Sequence, residues 1–163
     1  MKMLLHIILL LAIAISVTSA TFSKKDQKAI ADQLNVVRAK YAEMENIGNM
    51  HEVKFDEDLL KIAVRIANCE DLKGGIDIVK KSELEETSTN SGAVPMHLLP
   101  MRTEIACVQN LLTCTKFSEP ICLLAPYTTE KQIKRGSIGS ECTNGVVERK
   151  LCKAPRPAPA PSQ

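Results

Sequence analysis

Tryptophan is absent from this sequence, and only two tyrosines and three phenylalanines occur in its 163 residues. Any core must therefore be built from aliphatic side chains. A charge excess of one sign is missing too: the formal net charge is +2, and loss of Lys2 would lower it to +1. The basic clusters Lys24-Lys25, Lys80-Lys81 and Lys131 to Arg135 are short and interleaved with acids, so they read as solvated faces and nucleic acid is excluded as a partner. No Asn-x-Ser/Thr acceptor exists, since Asn90 is followed by Ser91-Gly92 and Asn144 by Gly145-Val146, and N-glycosylation is not expected. The cysteines form no C-x2-C pair, and beyond residue 20 the only histidines are His51 and His97. Two scattered histidines do not make a zinc site, which takes three or four protein ligands. Neither a resident metal nor a cofactor is expected.

What is present begins with Met1 to Ala20. Lys2 supplies a positive start, Leu4 to Val17 an apolar core, and Thr18, Ser19 and Ala20 small residues before a cleavage point at Thr21. This is the pattern of a secretory signal peptide. The apolar run is shorter than the roughly 20 residues that span a bilayer, and no later run is more apolar, so no membrane span is expected. Cleavage would retain all six cysteines, Cys69, Cys107, Cys114, Cys122, Cys142 and Cys152. An even count in a secreted chain implies a disulfide framework, without choosing among the possible pairings. The thiols are then occupied, and a cysteine nucleophile is not expected.

Ser23 and Asp26 approximate a capping box, and Ile30, Leu34, Val37 and Tyr41 recur at helical spacing, predicting a helix that Gly48 ends. A second helix starts at Asp56, with Phe55 and Leu60 placed as a hydrophobic staple. Leu59, Ile62, Ala63, Ile66 and Ala67 form its buried stripe, and Cys69 closes it. Gly74-Gly75 is a turn signal, and Ser82 to Ser91 reads as a polar surface loop in which Glu83, Glu85 and Glu86 are solvated. Pro95 and Pro100 bracket a short helical turn holding Met96 to Leu99. Thr103 to Asn110 and Pro120 to Ala125 are apolar or β-branched runs suited to a hairpin in a sheet core. The end, KAPRPAPAPSQ, offers no core and is expected to be disordered.

Several of these segments carry a family pattern. Asn35 and Arg38 match the first-helix H-N-x-x-R of CAP proteins, with Leu34 in the histidine place. Met50 to Cys69, MHEVKFDEDLLKIAVRIANC, resembles the family's M-x-x-L-x-W-D-x-x-L-x-x-x-A-x-x-x-A-x-x-C, with Phe55 for tryptophan. Thr103 to Val108 stands where T-K-I-G-C-A is usual, Ile121 to Pro126 where V-C-x-Y-x-P is, and Gly136 to Cys152 resembles the secreted members' KGEPGSKCPNG…GLC. The chain thus resembles the CAP superfamily of cysteine-rich secretory proteins, venom allergens and pathogenesis-related proteins, in the abridged form common in nematodes. The resemblance implies an α+β fold, an abridged CAP-like α-β-α sandwich stapled by disulfides with a short C-terminal cysteine-bridged extension. Its domains would be residues 1–20 as signal peptide, 21–152 as CAP-like domain and 153–163 as tail. The implied bridges are Cys69 with Cys114, Cys107 with Cys122 and Cys142 with Cys152.

The departures bear on function. Gly92 to Met96 stands where a GHYTQ-type signature would, putting Ala93 in the histidine place, and residues 70–91 hold neither histidine nor a G-E-N motif. The cation site implied by the family is degenerate. His51, just past a helix exit, is expected to face solvent, and His97 to be a partly buried structural residue. Changing both to alanine is expected to leave the scaffold intact. No catalytic residue is assigned, and the expected function is a secreted, non-enzymatic binding module with an unknown extracellular protein or lipid as partner. Two alternatives stay open: a disulfide-rich protease inhibitor presenting the loop Thr115 to Pro120, and a hydrolase using His97.

Overall fold

A computed structural model describes residues 21–70, 76–88, 92–109 and 116–155. The leader Met1 to Ala20, the Gly74-Gly75 turn, Cys114 and the tail beyond Pro155 lie outside the described residues.

Helix α1 spans Lys24–Met44, and Ser23 caps it by accepting from the Asp26 amide. It ends before Gly48, contrary to the expectation from sequence. Asn46 adopts a left-handed conformation (φ 53°), and the Ile47 amide reaches back to the Ala42 carbonyl at 2.8 Å. This is a Schellman-type stop, which asparagine serves as glycine does. Helix α2 spans Glu57–Ala67, with Asp56 as its cap accepting from Leu59. Cys69 takes the left-handed place after it (φ 65°), and the amides of Cys69 and Glu70 bond the carbonyls of Ile66 and Arg65.

Four strands form one mixed sheet in the order β1-β3-β4-β2: β1 Lys54–Phe55, β2 Asp77–Lys80, β3 Glu104–Val108 and β4 Ile121–Ala125. The hairpin strands β3 and β4 pair antiparallel in the register Cys107↔Cys122, while β1 runs parallel to β3 and β2 antiparallel to β4. Strands β1 and β2 carry no sequence signal of their own. They are short edge strands, completed by pairing with the hairpin rather than by a long alternating pattern.

The sheet is covered on both faces, so β3 and β4 read as continuous apolar runs. Ile105, Cys107, Cys122 and Leu124 face α1, packing with Ile30, Ala31 and Leu34. Ala106, Val108, Ile121 and Leu123 face the other way, against Leu59, Ala63 and Ala67 of α2. Alternation of side chains along a strand makes these two sets distinct, and the result is the α-β-α sandwich. The expected loop from Ser82 is partly ordered: Lys81–Glu85 form a 3-10 turn, and Leu84 is buried against the α1 side of the sheet. No helix among the described residues is long and apolar enough to cross a membrane.

The C-terminal extension folds back over the segment after α1. Gly48 donates to the Lys134 carbonyl, Gly136 to Asn46, Glu141 to Gly48 and Cys152 to Met50, all at 2.7–3.1 Å. A Cβ at Gly48 would stand 2.7 Å from both Glu141 Cγ and Ser140 Oγ, which is why glycine occupies that crossing. Tyr41, Ala42, Ile47, Met50, Leu98 and Leu151 form a third apolar cluster beneath the extension. Disulfides join Cys107 to Cys122 (Cα–Cα 4.0 Å) and Cys142 to Cys152 (Cα–Cα 5.0 Å). Cys69 is also disulfide-bonded.

Candidate functional site

Helix α1 buries a polar ladder beside its apolar stripe. Gln27, Asn35 and Arg38, eight and then three residues apart, all point at main chain. The Gln27 amide donates to the Cys107 carbonyl (2.6 Å) and accepts from the Cys107 amide (2.9 Å). Asn35 does the same to Val53, at 2.9 and 2.8 Å. Arg38, fully buried, donates through Nε to His51 O (3.0 Å), through Nη1 to His97 O, and through Nη2 to Pro100 O and Arg102 O (3.2 Å each). Burial, and then the nearby Arg102, lower the guanidinium to about 9, so it remains charged at neutral pH and its neutralisation is by carbonyl dipoles.

The same guanidinium therefore holds the main chains of both histidines, but their rings face different clefts. His97 is 2% exposed and lines a cleft of about 390 Å³ with Val79, Glu83, Glu86, Ala93 and Met96. Its Nε2 lies 2.9 Å from the Glu86 carbonyl, which fixes that nitrogen as the N–H donor. Burial, reinforced by Arg38, pushes the imidazole down to about 4 against the opposing pull of the Glu86 carbonyl and Glu83. A neutral ring whose Nε2 proton is committed to main chain ties Glu86 to the Met96–Leu98 turn.

His51 is buried, 4% exposed, rather than facing solvent. Its Nδ1 lies 2.9 Å from Asn49 O and 3.2 Å from Pro100 O, and burial lowers its pKa. The cause is long-range: the extension returns to place Cys152 beside it, and nothing in the local sequence announces that cover. His51 lines a second cleft, of about 250 Å³, with Met101, Lys134, Glu141 and Thr143.

A further buried charge was not legible from sequence. Arg102 is fully buried, donates to Leu124 O and Pro126 O, forms an ion pair through Nη2 with Asp77 of β2, and lies 5.8 Å from the Tyr127 ring centroid. Its Nε has no hydrogen-bond partner among the described residues. This pair links edge strand β2 to the start of β3. A lone Asp and a lone Arg separated by a turn, a surface segment and a loop have no spacing to connect them in sequence.

No family model matches the sequence, and no curated protein matches it significantly. Solved structures do match by shape. A structure of hookworm platelet inhibitor superposes with a TM-score of 0.59 at 15% identity, over 85% of this chain and 95% of that one. Na-ASP-1 superposes with a TM-score of 0.62 at 14% identity over 89% of this chain, which spans 49% of that longer chain. NaASP2, in a structure with Zn2+, gives 0.56 at 16% identity, over 83% and 98%. Identities this low establish the fold alone. The residues of the His97 cleft do not fit zinc: with Nε2 bonded to the Glu86 carbonyl, His97 could offer only Nδ1, Ala93 lines the wall, and the described residues include no group of three or more His, Cys, Asp or Glu placed to hold a metal. With a helix on each face of a four-stranded mixed sheet, and superposing on these neighbours over most of its length, this chain has the CAP-like α+β fold.

Proposed function

We propose that the chain is a secreted, extracellular CAP-like protein that acts by binding a partner through its surface, without catalysis and without a resident metal. The observation that carries this is the fate of the two histidines: each is buried, and each commits a ring N–H to backbone carbonyls. General acid-base or nucleophilic chemistry needs the remaining ring nitrogen bonded to, or within reach of, a nucleophile or a reacting group, and among the described residues the ring hydrogen bonds of both histidines go to main-chain carbonyls, with no hydroxyl, thiol or carboxylate side chain joined to either. The leader-like Met1 to Ala20, the disulfides and the proline-alanine tail fit export. One fold neighbour is named a platelet inhibitor, which accords with a role in binding, although a shared fold does not fix a function.

The test combines crosslinking of the oxidised mature chain in extracellular material with an esterase and peptidase panel and zinc calorimetry. A specific crosslinked partner, no turnover, and no zinc binding tighter than about −8 kcal/mol, the micromolar range, are expected. Turnover abolished by His97→Gln in a folded protein would replace this reading with the hydrolase, and stoichiometric nanomolar zinc would restore a cation site.

A further inference from the structure

On the side of α1 turned away from the sheet, Val36, Ala39, Lys40 and Glu43 follow helical spacing and line one wall of a groove of about 400 Å³. Ile138, Arg149 and Lys150 of the extension form the other wall. The floor is aliphatic. Ala39 and Ile138 pack on the third apolar cluster, while Val36 is 49% exposed, an aliphatic side chain left half open to water. Three cations and one acid surround this floor. Lys40 and Lys150 have no carboxylate partner among the described residues, and Arg149 has only the highly exposed Glu148, at 3.7 Å. Arg149 and Lys150 hold consecutive left-handed conformations (φ 58° and 59°), which non-glycine residues rarely adopt. The adjacent Gly139 (φ 83°) allows the Lys150 carbonyl to approach, since a Cβ there would lie 2.8 Å from that oxygen.

We infer that this groove between α1 and the extension is the docking surface for an acidic protein segment carrying an aliphatic anchor side chain, and this rests on the binding-module reading above. An anionic polymer without apolar groups would satisfy the cations but leave Val36, Ala39 and Ile138 wet. An acidic segment with a leucine-like anchor satisfies both, the anchor filling the trough while its carboxylates meet Lys40, Arg149 and Lys150. The bridge between Cys142 and Cys152 and the main-chain bonds to residues 46–52 hold the cationic wall in place, so binding need not order it.

The probe is a short fluorescent peptide of Asp and Glu with two central leucines, titrated into the oxidised mature chain by anisotropy and by amide NMR. Saturable binding at ~10–100 µM is expected, with resonance changes at Ala39, Lys40, Ile138 and Arg149. A serine-for-leucine peptide of equal charge should bind at least about tenfold more weakly, as should Arg149→Glu with Lys150→Glu. If that pair fails to fold, Lys40→Glu on the exposed helix face makes the same charge test. Absence of binding, equal binding by the serine peptide or by the charge-reversed protein, or resonance changes elsewhere would each overturn the inference. So would tighter binding of heparin or phosphatidylserine vesicles, or self-association that buries the same residues. Failure here is separable from failure of the binding-module reading: a crosslinked partner retained by the charge-reversed protein would remove this surface and leave that reading standing.

Discussion

The side-chain amide of Gln27 and the main chain of Cys107 exchange two hydrogen bonds, 2.6 and 2.9 Å long, so that a helix side chain does the work of a neighbouring strand. Parallel strand β1 reaches only as far as Phe55↔Ile105. Thr103 and Ile105 have carbonyls bonded by Lys54 and Asp56, and Cys107, next along the same edge, would be left open in the core. Main-chain groups buried without partners are costly, and Gln27 supplies both a donor and an acceptor. Gln27→Ala is therefore expected to destabilise the fold by about 2–4 kcal/mol, measured by urea denaturation. Gln27→Glu keeps an acceptor but loses the donor and should be destabilised at neutral pH. A neutral effect of both would refute the role.

Arg102 with Asp77 gives a second expectation. Arg102 is fully buried, and Asp77 is its only carboxylate partner among the described residues. Asp77→Asn should cost about 3 kcal/mol, because it leaves a buried cation without its counter-charge. Replacing both, as Asp77→Leu with Arg102→Met, should recover part of that loss. If the single change is as mild as an exposed-pair substitution, edge strand β2 is not held by this pair.

The histidines make stability depend on pH. His97 is held at about 4 in the fold against an unfolded value near 6.5. Above about 6.5 both states are neutral and nothing is gained or lost. As pH falls from 6.5 to 4 the unfolded chain takes up a proton that the folded one resists, so stability falls, by up to about 3 kcal/mol once pH is below 4. His51, also lowered by burial, acts in the same direction. Urea midpoints at pH 7 and pH 4.5 should differ less for His97→Gln than for the natural chain. Changing both histidines to alanine is now expected to weaken the scaffold, contrary to the expectation from sequence, because Glu86, Asn49 and Pro100 lose their ring donors.

For the third bridge, non-reducing peptide mapping should link Cys69 to Cys114, tying the end of α2 to the connection between β3 and β4. A peptide joining Cys69 to Cys142 or Cys152 would overturn this proposal. Breaking Cys142–Cys152, which closes a short loop, should cost about 2–3 kcal/mol and loosen the extension, seen as faster amide exchange across residues 136–152.

The elements with strong local signals were legible. Ser23 and Asp56 cap their helices as their positions predict, the stripe of Leu59, Ala63 and Ala67 packs on the sheet, and the apolar runs around Cys107 and Cys122 pair as a hairpin. Each depends on side chains a few residues apart, and helical or strand periodicity records such relations directly in sequence. What tertiary structure decided lies at long separation. Gln27 looks like an ordinary polar helix residue, and Asn35 and Arg38 carry a family pattern without showing what they bond, until β3, the residue before β1 and the loop carbonyls give them main chain to satisfy, and His51 looks exposed until the extension returns from a hundred residues away. The same is true of Asp77 with Arg102 and of the groove between Val36 and Arg149. Burial and partnership of polar groups are properties of the packed chain, since the desolvation that makes them matter exists only once distant segments have excluded the water between them.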